Sequence, residues 1–301
     1  MRAESLRGQL LQFPNFDGLW NSMDLSLVET QLREKLSQTE TQNDRKRAIS
    51  LLTYLARVLS FNSFFKEAAA TLDQARQILV TGPSFKPFEV RVLIEEGRHH
   101  SLSGNIRNAQ NCFALAMNLA SETHQDYFVV EASFLLSLVV PAKDQNQWLR
   151  QALKVAQNTE SSDTKFWLPH IYLASGWHAF DFRAFVEAHK FFELARDCEV
   201  LPSSRFDSDA GVWAIARVLR ALGRTVEALR IQEGLLAKGH PSGVNMGHIY
   251  LELAECHQLL QNHSEAKSNF EKAHLTLSID PWYANNKIDD LSRMKAIAKK
   301  K

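Results

Sequence analysis

Along this chain, small and bulky apolar residues recur at offsets of four and three. The triplet Ala68/Leu72/Ala75 is followed by Ala109/Phe113/Ala116, Leu149/Leu153/Ala156, Ala188/Phe192/Ala195, Ala228/Gln232/Leu235 and Ala266/Phe270/Ala273. Its first position returns about every forty residues. Offsets of i, i+4 and i+7 lie on one face of a helix. Twelve residues before each first position stand Ala56, Gly97, Ser137, Gly176, Ala216 and Ala254, all small. Antiparallel helices that cross closely need such residues at the contact, because a larger side chain forces the backbones apart. Four residues earlier come Leu52, Leu93, Ser133, Tyr172, Val212 and Tyr250, mostly large enough to fill the space beside the crossing.

Each period is therefore a first helix, a short turn and a second helix. Turn chemistry falls where this scheme needs it, at Ser103-Gly104-Asn105 and at Gly223. Breaker clusters separate the periods at Thr81-Gly82-Pro83, Asn158 to Asp163, Leu201-Pro202-Ser203-Ser204 and Gly239-His240-Pro241-Ser242-Gly243. No segment alternates with period two, so no sheet is expected. The third period departs most from the rule: Pro141 closes its first helix early and Leu149 replaces the marker alanine. A helix capped by Asp24 or Ser26 and running to about Ser37 is predicted before the periods, with Leu25, Val28, Leu32 and Leu36 as its inner stripe. Phe13, Phe16 and Trp20 are expected to lie over the first period. After the last, Asp280-Pro281 is predicted to start a final helix with Ile288, Leu291, Met294 and Ile297 on its inner face.

Small residue, bulky residue and closing alanine in this order resemble the tetratricopeptide repeat. The match is clearest in IYLASGWHAFDFRAFVEAHKFFELA (Ile171–Ala195) and IYLELAECHQLLQNHSEAKSNFEKA (Ile249–Ala273), although the periods are longer than the usual repeat. The whole chain is also similar to a group of largely uncharacterised bacterial tetratricopeptide proteins of similar length. That likeness is carried by LWNSMDLSLVETQLREKL, LARVLSFNSFFKEAAATLDQA, WAIARVLRALGRTVEALRIQEGLL and IDPWYANNKIDDLSRM. The expected fold is all-α: a single right-handed α-solenoid over 1–301 of about six tetratricopeptide-like hairpins in 43–280. It is capped by 1–42 and by a C-terminal helix over 281–301.

Composition narrows the function. The formal net charge is +1, so no excess is available for a broad basic face, and nucleic acid is not an expected partner. Three separated cysteines, Cys112, Cys198 and Cys256, argue against a disulfide framework and for a reducing compartment. The N-terminus lacks a signal-like apolar run, and no stretch is long and apolar enough to span a membrane. A cytoplasmic location is expected, without membrane contact.

In a solenoid of helical hairpins the first helices line the concave face. The residues following the small crossing positions are Arg57, Arg98, Leu138, Trp177, Arg217 and Glu255. A second row, three before the crossing, holds Thr53, Ile94, Phe134, Leu173, Trp213 and Leu251, with Arg91 and Arg220 on the same side. Arginine pairs bidentately with carboxylates, and arginine and tryptophan are enriched in interface hot spots. Arg57, Arg91, Arg98, Trp177, Trp213, Arg217 and Arg220 are therefore the candidate groove residues. The expected ligand is an extended or helical peptide, or a protein segment, with acidic groups and an apolar anchor. The same residues also have a plainer use, with arginines covering apolar surface beside a glutamate and Trp177 packing between neighbours. Carboxylate-clamping members of the family carry lysine and asparagine at set groove positions. Thr53 and Arg57 stand at the first pair here, so chaperone C-terminal tails are not the favoured ligand.

No cofactor, metal or catalytic activity is expected. His99 and His100 are adjacent, so on a helix they point about 100° apart. Cys256-His257 has no second cysteine nearby. No H-E-x-x-H, G-x-S-x-G, Walker A or G-x-G-x-x-G stretch occurs. The first reading is a protein-binding module or adaptor. A sensory solenoid that binds a small peptide or metabolite and controls an effector is the alternative, and homo-oligomerisation through the convex helices a third.

Overall fold

The computed structural model describes residues 25–42, 44–81, 86–198, 208–239 and 246–299. Its helices are α1 (Leu25–Gln42), α2 (Arg45–Phe61), α3 (Phe65–Thr81), α4 (Lys86–Leu102), α5 (Ile106–Glu122), α6 (Asp126–Val139) and α7 (Gln145–Asn158). They continue as α8 (Ser162–Lys165), α9 (Leu168–Asp181), α10 (Phe185–Asp197), α11 (Ser208–Ala221) and α12 (Thr225–Ala237). The last are α13 (Met246–Leu259), α14 (His263–Leu277), α15 (Pro281–Asn286) and α16 (Ile288–Lys299). Among the described residues there is no strand, and the fold is an all-α solenoid of tetratricopeptide-like hairpins.

The six hairpins are α2/α3, α4/α5, α6/α7, α9/α10, α11/α12 and α13/α14, in the predicted register. Every small crossing residue is buried. At two of them only glycine fits. A Cβ built on Gly97 would stand 2.6 Å from Cδ1 of Phe113, and one on Gly176 2.5 Å from Cδ1 of Phe192. Each ring lies against the bare backbone of its partner helix, so the pairs Gly97/Phe113 and Gly176/Phe192 set the closest approach.

Within five hairpins the turn has one geometry. The N–H groups of Phe64, Asn105, Ala184, Arg224 and Asn262 donate to the carbonyls of Leu59, His100, Ala179, Leu219 and His257, at 2.8–2.9 Å. The residue just before each donor has positive φ: Ser63, Gly104, Arg183, Gly223 and Gln261. This arrangement closes a helix by satisfying its last carbonyls. The α6/α7 hairpin differs, as Pro141 foretold: α6 ends at Val139 and a short 3-10 turn, Ala142–Asp144, leads into α7.

First and second helices are buried unequally. In α2, thirteen residues from Ala48 to Phe61 are buried, whereas α3 buries only Ala68, Thr71, Leu72 and Ala75. A first helix is packed on both sides by neighbouring hairpins, and a second helix shows its outer face to solvent.

Contacts divide the described residues into two units that meet in sequence at Ile171/Tyr172. In the first, α1 lays Val28 and Leu32 on Leu51, Leu55 and Leu59 of α2. This helix runs to Gln42, beyond the predicted Ser37, and Asp44 then caps α2 by accepting from the Arg47 N–H at 3.0 Å. A larger cluster joins α4, α5 and α6 around Ile94, Phe113 and Leu135. In the second unit, Phe270, Leu277, Tyr283 and Met294 close the end against Ala254. Here the single predicted terminal helix is two: Asp280 caps α15, which stops at Asn286, and Lys287 adopts φ −131° before α16 begins. The break leaves Ile288 63% exposed, while Leu291, Met294 and Ile297 pack inward as expected. Phe13, Phe16, Trp20 and Asp24 lie outside the described residues.

Candidate functional site

In the first unit the crossing of α2, α4 and α6 brings four charged side chains together. Arg57 Nε donates to Glu95 Oε2 at 2.6 Å, and its Nη2 to Glu95 Oε1. Arg98 Nη2 donates to Glu131 Oε1. The ring closes through Arg98 Nε to Glu95 Oε1 at 3.5 Å and Arg57 Nη2 to Glu131 Oε1 at 3.7 Å. All four side chains are buried, and their formal charges cancel. Burial pulls the Arg98 guanidinium down, with Arg57 acting in the same direction against Glu95 and Glu131. For Arg57 burial also lowers, but the charge and hydrogen bond of Glu95 outweigh it and the net shift is upward.

Arg57 and Arg98, read from the sequence as groove arms, are thus core residues whose donors face glutamates of the same unit. Beside them lies a shallow recess lined by Tyr54, Arg91, Ile94, Tyr127 and Phe128 among others. Arg91 is half-buried at its edge, 4.5 Å over the Tyr54 ring and 3.5 Å from Ser50 Oγ.

In the second unit the first helices α9, α11 and α13 assemble a different cluster. Trp177 packs against Phe180, Phe192 and Trp213, with ring centroids 5.6, 4.8 and 5.6 Å away. Trp213 is buried and continues to His248 at 5.8 Å, which meets Tyr283 at 5.6 Å. The Arg217 guanidinium sits in the bend of this row, 5.8 Å from the Trp177 ring, 5.5 Å from Phe180 and 5.5 Å from Trp213. These are cation–π distances. Burial pushes the His248 imidazole down to about 4, with Arg217 adding to the effect, so it is neutral near pH 7.

One carboxylate, Glu252, faces two arginines here. Arg220 takes it with both prongs, at 2.8 and 3.2 Å. Arg217 is left with a 3.6 Å approach to Glu252 Oε1, too long for a hydrogen bond. The comparison with the first unit is direct. Arg57 and Arg217 each follow a crossing residue, and Glu95 and Glu252 each stand two before the crossing residue of the next hairpin, Gly97 and Ala254. The same kind of pair is closed in one unit and open in the other: Glu95 gives its bidentate pair to Arg57 and only a 3.5 Å approach to Arg98, whereas Glu252 gives its bidentate pair to Arg220. Arginines at one register position differ according to which carboxylates stand on the buried face. Glu95, Glu131 and Glu252, acidic residues at inward positions, were the signal.

Among the described residues no group of three or more histidines, cysteines or acids could hold a metal, and no helix is long and apolar enough to cross a membrane. Burial raises the thiols of Cys112 and Cys198 to about 11 and of Cys256 to about 12, away from the reactive thiolate.

No family model and no curated protein matches the chain. Solved structures do. It is similar to a signal transduction ATPase with numerous domains that carries a tetratricopeptide repeat sensor, from Pyrococcus horikoshii. That match has 14% identity and a TM-score of 0.65, covering 91% of this chain and 42% of the other. A tetratricopeptide repeat protein from Parabacteroides merdae matches at 14% identity and TM-score 0.52 over 99% of both chains. NprR in complex with its cognate peptide NprX matches at 14% and 0.51, over 91% of this chain and 86% of that one. The chain spans less than half the length of the Pyrococcus protein. At these identities the likeness shows the fold, which is that of the tetratricopeptide repeat.

Proposed function

We propose that this protein is a non-catalytic binding module that takes a peptide or protein segment on the first-helix face of its second unit. The observation that carries the reading is the setting of Arg217. Its side chain is 28% exposed and rests among three aromatic rings, yet among the described residues it donates no hydrogen bond. Arginine and tryptophan held rigid and part-desolvated are the usual composition of an interface hot spot. Of the seven residues expected from the sequence, Trp177, Trp213, Arg217 and Arg220 meet in this one place. Arg91 belongs to a separate recess, and Arg57 and Arg98 support the first unit's core.

Affinity capture on the full chain, followed by hydrogen exchange on the captured complex, tests the reading. Slowed exchange is expected in 172–181, 208–221 and 246–259. Protection confined to α10, α12 and α14 would point to the outer face instead and overturn it.

A second reading, a sensor that passes peptide binding to an effector, is supported by the fold shared with peptide-bound NprR and with the repeat sensor of the Pyrococcus ATPase. It predicts the same binding face and differs in requiring an effector to associate with, or be released from, the loaded protein.

A further inference from the structure

Resting on that reading, we infer that Arg217 is the anchor for a single carboxylate of the bound peptide, and that a bulky apolar residue beside this carboxylate stacks on Trp177 and Phe180. Three observations converge. Arg220 and Glu252 form a bidentate pair, which leaves Arg217 without a carboxylate at hydrogen-bond distance. Nearby, Arg293 is paired with Glu255 at 2.5 Å, which removes that pair from the account. Asp290 and Asp280 also act on this cluster, through Tyr283 and His248, so it suits a single negative charge at Arg217 rather than a doubly charged phosphate.

The donors are also unspent. Arg217 Nε has no hydrogen-bond partner among the described residues but is itself buried, as is the indole N–H of Trp213, so a ligand oxygen meets the outer nitrogens of the guanidinium. That side chain is 28% exposed, and a charge-assisted hydrogen bond there is worth more than at a fully solvated arginine. Pre-orientation adds to this. The rings around Arg217 hold the planar fork in place, so less side-chain freedom is lost when it closes on a carboxylate.

The aromatic surroundings set the second requirement. Trp177 and Phe180 are half-buried and adjoin the guanidinium. The residue next to the carboxylate therefore meets ring faces, where a leucine or phenylalanine buries area and a lysine does not.

The test starts from a random linear peptide library displayed on phage and selected on the full chain. Enriched peptides are resynthesised in three forms: with each Asp or Glu changed to Asn or Gln, with the C-terminus amidated, and with phosphoserine in place of the acid. One of the first two changes is expected to weaken binding at least about tenfold. Arg217→Gln is expected to abolish the difference between acidic and amide peptides, and Arg217→Lys to restore part of it. Trp177→Leu should weaken both forms alike; the Arg217 variants should melt near the parent, and Trp177→Leu, which loses packing on Phe192, should melt lower while keeping the parent's helix signal at the binding temperature. If peptides bind but their neutral forms bind equally well, or if Arg217→Gln discriminates as before, the carboxylate inference fails and the binding reading stands. Tighter binding of the phosphoserine form overturns the single-carboxylate assignment. If no peptide is enriched, the peptide-binding reading falls, and this inference with it.

Discussion

Arg57 Nε donates to Glu95 Oε2 at 2.6 Å where α2 meets α4, with the two side chains 4% and 1% exposed. The pair is half of a ring of four charges, and each charge is compensated only while the ring is whole. Removing one member of a buried ion pair leaves the other uncompensated, which costs about 3–5 kcal/mol. Arg98→Ala and Glu131→Ala are each expected to lower the urea midpoint sharply. Replacing all four residues by leucine or methionine should retain more stability than either single change. Arg217→Ala is expected to lower the midpoint much less, because its removal costs contacts with ring faces and strands no buried hydrogen-bonded partner. Denaturation followed by helix signal separates two arginines that stand at equivalent places in the sequence.

Gly176 and Phe192 make a second test of packing. With a Cβ at Gly176 only 2.5 Å from the ring, the helices of this hairpin must part or the ring must turn. Gly176→Ala is expected to destabilise by about 1–3 kcal/mol, the usual effect of overfilling a packed core. Combined with Phe192→Leu, the two changes should be less than additive, since the smaller side chain makes room for the methyl group. A strictly additive double-variant cycle would refute this contact.

The hairpins and their register were legible in the sequence because the crossing residues are read from spacing alone: Gly97, Gly176 and Ala254 declare themselves by size. The site was legible only in part. Trp177, Trp213, Arg217 and Arg220, the residues of the proposed site, stand out by residue type alone, but burial of Arg57 and Arg98 depends on carboxylates from neighbouring hairpins. Glu95 is 38 positions beyond Arg57 and Glu131 is 33 beyond Arg98. Such long-range charge matching leaves no local pattern. The turns show the same limit, since Gly104 and Gly223 announce left-handed backbone and Ser63, Arg183 and Gln261 do not.

Arg183 takes φ 60° in the same turn geometry that Gly223 occupies at φ 81°. A side chain in this region costs roughly 1–2 kcal/mol, and the extra freedom that glycine brings to the unfolded chain offsets about half of that. Arg183→Gly is therefore expected to raise the thermal midpoint slightly, and Gly223→Ala to lower it. Opposite shifts from these two substitutions, measured by calorimetry, are the signature of a shared left-handed turn.

Gln232 stands where five other hairpins place leucine or phenylalanine. It is fully buried, and neither atom of its amide has a hydrogen-bond partner among the described residues. By register it matches Phe113 and Phe192, which lie against Gly97 and Gly176, but it leaves a polar group in that buried position. Substituting Gln232→Leu or Gln232→Met keeps most of the volume and is expected to stabilise by about 1–2 kcal/mol. A lower midpoint in both variants would contradict the assignment of this amide as a net cost.

Acid should weaken the protein through its buried histidines. Burial sets the His248 imidazole at about 4 and that of His170 at about 3, against an ordinary value of 6.5. In the unfolded chain both bind protons as pH drops below 6.5, while in the folded chain they stay neutral until the lower values. The unfolded state thus takes up more protons in that window, and stability falls as pH falls. The loss assigned to His248 begins near pH 6.5, is complete near pH 4, and amounts to about 3 kcal/mol. His248→Gln is expected to roughly halve the slope of the urea midpoint against pH between those limits, leaving the comparable slope due to His170. An unchanged slope in the variant would place the acid sensitivity elsewhere.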